Sequence, residues 1–187
     1  LSYRKTRRFH LQKARIDSLH LHLLNLGHRA AKVPWRIFFS VPRKDVWGLI
    51  DQQNLKLKQQ VYPPLFILID SYSELTDQKF LDKKNRFQFY ANFSDVHPRK
   101  IAERNLRSEG LLDLRFALNH YNHFLRIVCE TWGEVPVFLL EYPTTLEKRD
   151  KFIERATIIR KTYVELEKSW PNVRFLTNDI SEVGPNP

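Results

Sequence analysis

The chain has 187 residues, one cysteine, no methionine and five glycines, and its 31 Lys and Arg against 21 Asp and Glu give a formal net charge of +10. This length suits one domain with a sizeable core. The lone Cys129 excludes an internal disulfide or a cysteine-based zinc site, and no glycine-rich phosphate loop is present, so no metal or cofactor is expected. No run reaches membrane-spanning length and no secretory signal is visible, while a single unpaired cysteine leans toward a cytoplasmic setting. A start at Leu1 without any Met reads as a processed or trimmed portion of a longer chain.

Residues 1–15 are predicted to be a basic, loosely ordered arm. They belong to a block, 1–36, that holds nine Lys and Arg against one acid, Asp17. Such a block suits contact with a polyanion such as nucleic acid; a solvated arm has the same composition. Ser18 to Gly27 reads as a short helix, with Leu19, Leu23 and Leu26 on one face and Gly27 after its end. Trp35–Phe39 resembles a strand, and 45–57 a helix with Val46, Leu49 and Ile50 inward. Leu65–Ile69 is the purest apolar run, closed by Asp70-Ser71, and predicts a central strand buried on both faces.

Residues 76–99 are polar and mixed, with Phe80, Phe87, Phe89, Tyr90 and Phe93 among them, and read as an aromatic-rich insertion with little regular structure. From Pro98 to Trp132 the pattern is helical, interrupted near Gly110. Leu114, Leu118, Tyr121, Leu125, Val128 and Trp132 form one apolar stripe. Val135–Pro143 predicts a strand, and a helix follows with Phe152, Ala156, Ile159, Tyr163 and Leu166 inward. Thr144-x-x-Glu147 is a capping box for that helix, and Val173–Leu176 is the next strand. A β-α-β unit of this kind implies a parallel sheet. The expected fold is a single α/β domain over 16–187, a three-layer sandwich with a mainly parallel central sheet flanked by helices.

In such a sheet, function gathers on the loops at the carboxyl ends of the strands. Asp17-Ser18-Leu19 stands before a helix, where a serine hydroxyl can act on a substrate. The same residues are also what an ordinary helix N-cap looks like. Asp70 and Glu74 follow the most apolar strand, where an acid is costly unless paired or functional. Asp95-Val96-His97-Pro98 sets a carboxylate two residues from an imidazole, as a general base would need, or simply forms a turn into a helix. Ser40 is a second serine near a strand end, with a turn role before Pro42 as its alternative. His120 and His123 lie three apart on a helix and could share a metal, but no third ligand is fixed by spacing.

Ile16-Asp17-Ser18-Leu19, the helix closing at Leu26-Gly27-His28 and the later Leu65–Ile69 strand resemble the opening of the SGNH/GDSL hydrolase family. The resemblance implies a serine nucleophile at Ser18. It puts Asp70-Ser71-Tyr72-Ser73-Glu74 in the place of that family's Gly-x-Asn-Asp block, and 137–176 in its late strand-helix-strand portion. Ile16 stands where the family has glycine. The family's Asp-x-x-His has no counterpart, since the last histidine is His123. An active relative would take its histidine from outside these residues, and a non-catalytic one would lack it.

The resemblance thus implies a serine esterase or acyltransferase acting on a small-molecule or glycan ester, sugar rings stacking on the aromatics of 76–99. The alternatives are a polyanion-binding module using 1–36 and a pseudoenzyme scaffold.

Overall fold

The apolar runs on either side of the long amphipathic helices become strands of one sheet. In the computed structural model, residues 15–17, 37, 41, 46–47, 50, 63–82, 87–96 and 106–177 are described. Their elements are β1 (Ile67–Asp70), α1 (Tyr72–Thr76), β2 (Asp77–Asp82), β3 (Phe87–Asn92), β4 (Leu106–Gly110), α2 (Ala117–Trp132), β5 (Val137–Leu140), α3 (Asp150–Ser169) and β6 (Val173–Leu176). Two sheets result: a parallel one ordered β1-β5-β6 and an antiparallel one ordered β3-β2-β4. The chain is therefore mixed α/β.

In the parallel sheet, Ile67 pairs with Val137 and Val137 with Val173, and Asp70 with Leu140 and Leu140 with Leu176. The alternation of strand side chains sends Ile69, Val137, Leu139 and Val173 to one face. There they join Tyr121, Leu125 and Val128 of α2 and Ile159, Tyr163 and Leu166 of α3 in one core. Helix α3 runs for 20 residues on the predicted inner face, and the β5-α3-β6 unit has the parallel pairing expected of it. The loop before α3 differs from the expected capping box. Helix α3 starts at Asp150, and Glu147 instead accepts from the backbone N–H groups of Lys148 and Arg149. The Arg149 side chain also forks onto that carboxylate, which holds it away from the helix.

The other face of the parallel sheet carries Leu68, Phe138, Leu140 and Leu176, with Phe66 set edge-on against Phe138 at 6.0 Å. Leu68 is 54% exposed, so β1 is not the doubly buried central strand that its sequence predicts. Among the described residues it pairs only with β5 and lies at the sheet's edge.

The second sheet replaces what the sequence reads as an irregular insertion and the start of a long helix. Phe80, Phe87 and Phe89 are spaced to point into one layer, and Phe80 stacks on Phe89 at 5.3 Å. Residues 106–110 pair with β2 instead of coiling. Ser108 donates to Gln78 at 2.6 Å, and Lys79 meets Glu109 at 3.0 Å. Cross-strand partners thus override the local helical pattern. Val46 and Ile50 are helical and buried against this sheet, in keeping with a helix over 45–57. Ile37 is helical too, against the strand expected over 35–39, and packs on the same cluster. Phe80→Ala should cost about 3–5 kcal/mol, because a fully buried ring and its stacking partner are lost together. Urea unfolding would measure it, and a loss below about 1 kcal/mol would show that this core is not formed as described.

Residues 15–17 join the antiparallel sheet to the other core, in which Ile16 is fully buried. The Arg15 guanidinium binds both oxygens of Asp17, at 2.6 and 3.0 Å. It also donates to the backbone carbonyls of Asp77 at 3.2 Å and Gly110 at 3.0 Å, and lies 5.0 Å from the Tyr90 ring. Arg15 is 3% exposed, so the last residue of the expected loose arm is fixed and buried. No helix among the described residues is long and apolar enough to cross a membrane.

Candidate active site at the carboxyl end of strand β1

The parallel strands end together at Asp70, Leu140 and Leu176, and a polar turn, Asp70-Ser71, follows β1. Asp70 is exposed, and its Oδ1 accepts from the Tyr72 N–H at 2.9 Å, which turns the chain sharply. Ser71 follows at 2% exposure, and its carbonyl accepts from Leu75 N–H at the start of α1. Its Oγ is buried and makes no hydrogen bond of ordinary geometry, although it lies against the Tyr163 hydroxyl. A buried hydroxyl left in that state costs free energy, and such groups concentrate where function constrains them.

Behind Ser71 is a polar cluster inside an apolar core. The Tyr121 and Tyr163 hydroxyls are 2.8 Å apart, with the rings edge to face at 5.3 Å. Burial, aided by the negative field of Glu74, pushes both phenols well above the usual tyrosine range. Both therefore stay protonated at neutral pH, one donating to the other.

Glu74 projects from α1 at 1% exposure. Its Oε1 accepts from Ile16 N–H at 2.8 Å, and its Oε2 has no partner. Burial raises its carboxyl to about 8, against opposing contributions from backbone hydrogen bonds and the Arg15 charge. At neutral pH Glu74 is therefore mostly a neutral acid. Arg155 of α3 clamps the backbone beside it, donating to the carbonyls of Glu74 at 2.6 Å and Leu112 at 2.9 Å.

The outer rim is aromatic and charged. Tyr72, 48% exposed, lies 6.3 Å from the Tyr142 ring. Tyr142 donates to Glu147 at 3.0 Å, and the Arg149 fork holds that carboxylate down to about 2. Glu141 pairs with Arg160 at 3.1 Å.

The known-protein comparisons add no relative: no family model matches the chain, and no match is found among curated proteins or solved structures. The site has to be read from its own residues.

Of the sequence-derived candidates, Asp70 and Glu74 meet here, one exposed and one buried. Asp17 is elsewhere in role: it is already helical and is engaged by Arg15, not poised in a turn before the helix. Ser18, Ser40 and His97 lie outside the described residues. His120 is half-buried and His123 exposed on α2, and no metal-binding group of three ligands occurs among the described residues. Phe80, Phe87, Phe89 and Tyr90 are buried in the second sheet and offer no ring to a sugar.

The sequence carries a signal for Ser71 as a nucleophile as well. The triplet Ile-Asp-Ser occurs twice, at 16–18 and 69–71. Only the second follows an apolar run of strand length. Tyr121, Tyr163 and Arg155 gave no signal beyond helical periodicity.

Proposed function

We propose that the chain is a serine esterase or acyltransferase of the SGNH type, acting on a small-molecule or glycan ester, with Ser71 in place of Ser18 as the nucleophile. The observation that carries this reading is the position of Ser71. It sits in the tight turn between the carboxyl end of a parallel strand and a helix, with a hydroxyl not committed to an ordinary hydrogen bond. Tyr163 beside it is a donor that can stabilise charge developing on oxygen, a role preorganised hydroxyls play in acyl transfer. The exposed Tyr72–Tyr142 pair at the rim is the surface on which a sugar ring would stack.

Attack by Ser71 requires a base to take its proton. Tyr121, Tyr163 and Glu74 all keep theirs at neutral pH. None of these three serves as the base; the exposed Asp70 beside Ser71, and His97, which lies outside the described residues, are the candidates from the sequence. A substrate reaches Ser71 only after the rim opens, since the residue is 2% exposed.

That enclosure is the observation that favours the second reading, a non-catalytic scaffold of the same fold. A polyanion-binding role for 1–36 has to do without Arg15, which is buried in internal bonds. The three-layer arrangement belongs to either reading. Parallel sheets are normally covered on both faces, and the face of Leu68, Phe138 and Leu140 is the one a further layer would cover.

Hydrolysis of an aryl acetate by the full chain tests the proposal. Ser71→Ala should lower kcat at least about a thousand-fold, as removal of a nucleophile does elsewhere, while Ser18→Ala leaves it unchanged. Equal activity in Ser71→Ala and the parent, or no turnover by the parent, would favour the scaffold.

A further inference from the structure

A second feature lies apart from Ser71 and does not depend on its chemistry. Between the turn that precedes α2 and the first turns of α3 is a cleft of about 400 Å³, lined by Asp113, Leu114, Arg115, Lys151, Glu154, Arg155 and Ile158. Its floor is apolar, from Leu114 and the 44% exposed Ile158. Its walls carry three cations, Arg115, Lys151 and Arg155, against two acids, Asp113 and Glu154. Asp113 is committed to Arg115, which forks onto it at 2.6 and 3.0 Å. Lys151 is exposed at the mouth.

Arg155 is the residue that gives the cleft its character. Two backbone carbonyls hold its Nη2, so the guanidinium cannot swing away, and its Nε is buried without an acceptor. Among the described residues no carboxylate forms an ion pair with it, although Glu74 and Asp113 act on it through space, and burial together with the Arg15 charge lowers the Arg155 pKa. A half-buried, immobilised cation without an ion-paired carboxylate is costly, and a bound anion offsets that cost. With both Nη2 hydrogens on backbone carbonyls, Nη1 is the group left to donate to a carboxylate or phosphate oxygen.

We propose that this cleft binds an oxyanion carried on a short apolar chain, a carboxylate or phosphate monoester, with the charged group on Arg155 and Lys151 and the chain along Leu114 and Ile158. Titrating the full chain at pH 7 with inorganic phosphate, octanoate and octyl phosphate, followed by methyl NMR of the leucines and isoleucines, tests it. Saturable shifts at Leu114 and Ile158 are expected, with either alkyl ligand binding at least about ten-fold tighter than inorganic phosphate. The tighter of the two alkyl probes identifies carboxylate or phosphate as the headgroup. Arg155→Met should weaken binding at least about ten-fold. Because Arg155 also clamps two carbonyls, Lys151→Glu serves as the second variant. It changes an exposed residue, leaves the fold intact and should weaken binding by a similar factor. Absence of saturable shifts with all three probes would overturn the proposal, as would unchanged affinity in a folded Arg155→Met or Lys151→Glu protein.

Discussion

Replacing Glu74 with glutamine should flatten the pH dependence of this protein's stability between about pH 4.5 and 8. The sign follows from proton binding. The folded carboxyl holds its proton up to about pH 8, whereas an unfolded glutamate releases it near 4.5. Between those values the folded state binds more protons, so stability is full below 4.5 and falls as pH rises through the window. One proton over that span corresponds to a loss on the order of 3–5 kcal/mol. Glutamine still accepts from Ile16 N–H, the bond that Glu74 makes at 2.8 Å, and carries no charge to desolvate. The variant should therefore match the parent near pH 5 and exceed it by several kcal/mol above pH 8. Urea unfolding at intervals of one pH unit would measure this. A parent whose stability does not fall across the window would show that Glu74 is not buried as a neutral acid.

Arg15→Met should destabilise the protein by about 3–5 kcal/mol, the range for removing one partner of a buried charged pair. The effect is large because one guanidinium serves three places. It neutralises Asp17, whose side chain is 15% exposed, and it satisfies the carbonyls of Asp77, at the start of β2, and Gly110, at the end of β4. Methionine fills the volume but leaves a carboxylate and two carbonyls short of donors. Arg15→Lys should recover only part of the loss, since an ammonium cannot reproduce the fork. The comparison is made by thermal unfolding of the three proteins at one pH. Arg15→Met within about 0.5 kcal/mol of the parent would mean that Arg15 does not anchor residues 15–17 on the antiparallel sheet.

The parts of the fold visible in the sequence are those whose signal is local. The strands around Val137 and Val173 and the helix between them are marked by a change of hydrophobic period and by Pro143 and Pro171, so β5-α3-β6 could be read directly. Glu74 stood out for a similar reason: an acid just past the most apolar run must be paired, neutral or functional. What stayed hidden depends on partners far along the chain. Leu106–Gly110 resembles helix until Gln78 and Lys79 are placed beside it. The aromatic residues of 80–93 look scattered until β2 and β3 pair and bring Phe80 onto Phe89. The polar cluster joins Tyr121 and Tyr163, 42 residues apart, through two helix faces that periodicity marks only as apolar. The choice between two Ile-Asp-Ser triplets turned on whether a buried strand comes before the serine, and that favours 69–71.

The central claim, that Ser71 is the nucleophile of a serine esterase or acyltransferase, is tested most directly by covalent labelling. The full chain is treated with a fluorophosphonate probe at neutral pH and the modified peptide is identified by mass spectrometry. A single adduct on Ser71, absent from Ser71→Ala and retained in Ser18→Ala, is the result expected. Labelling of Ser18, or no adduct on Ser71 under conditions that modify a control serine hydrolase, would contradict it.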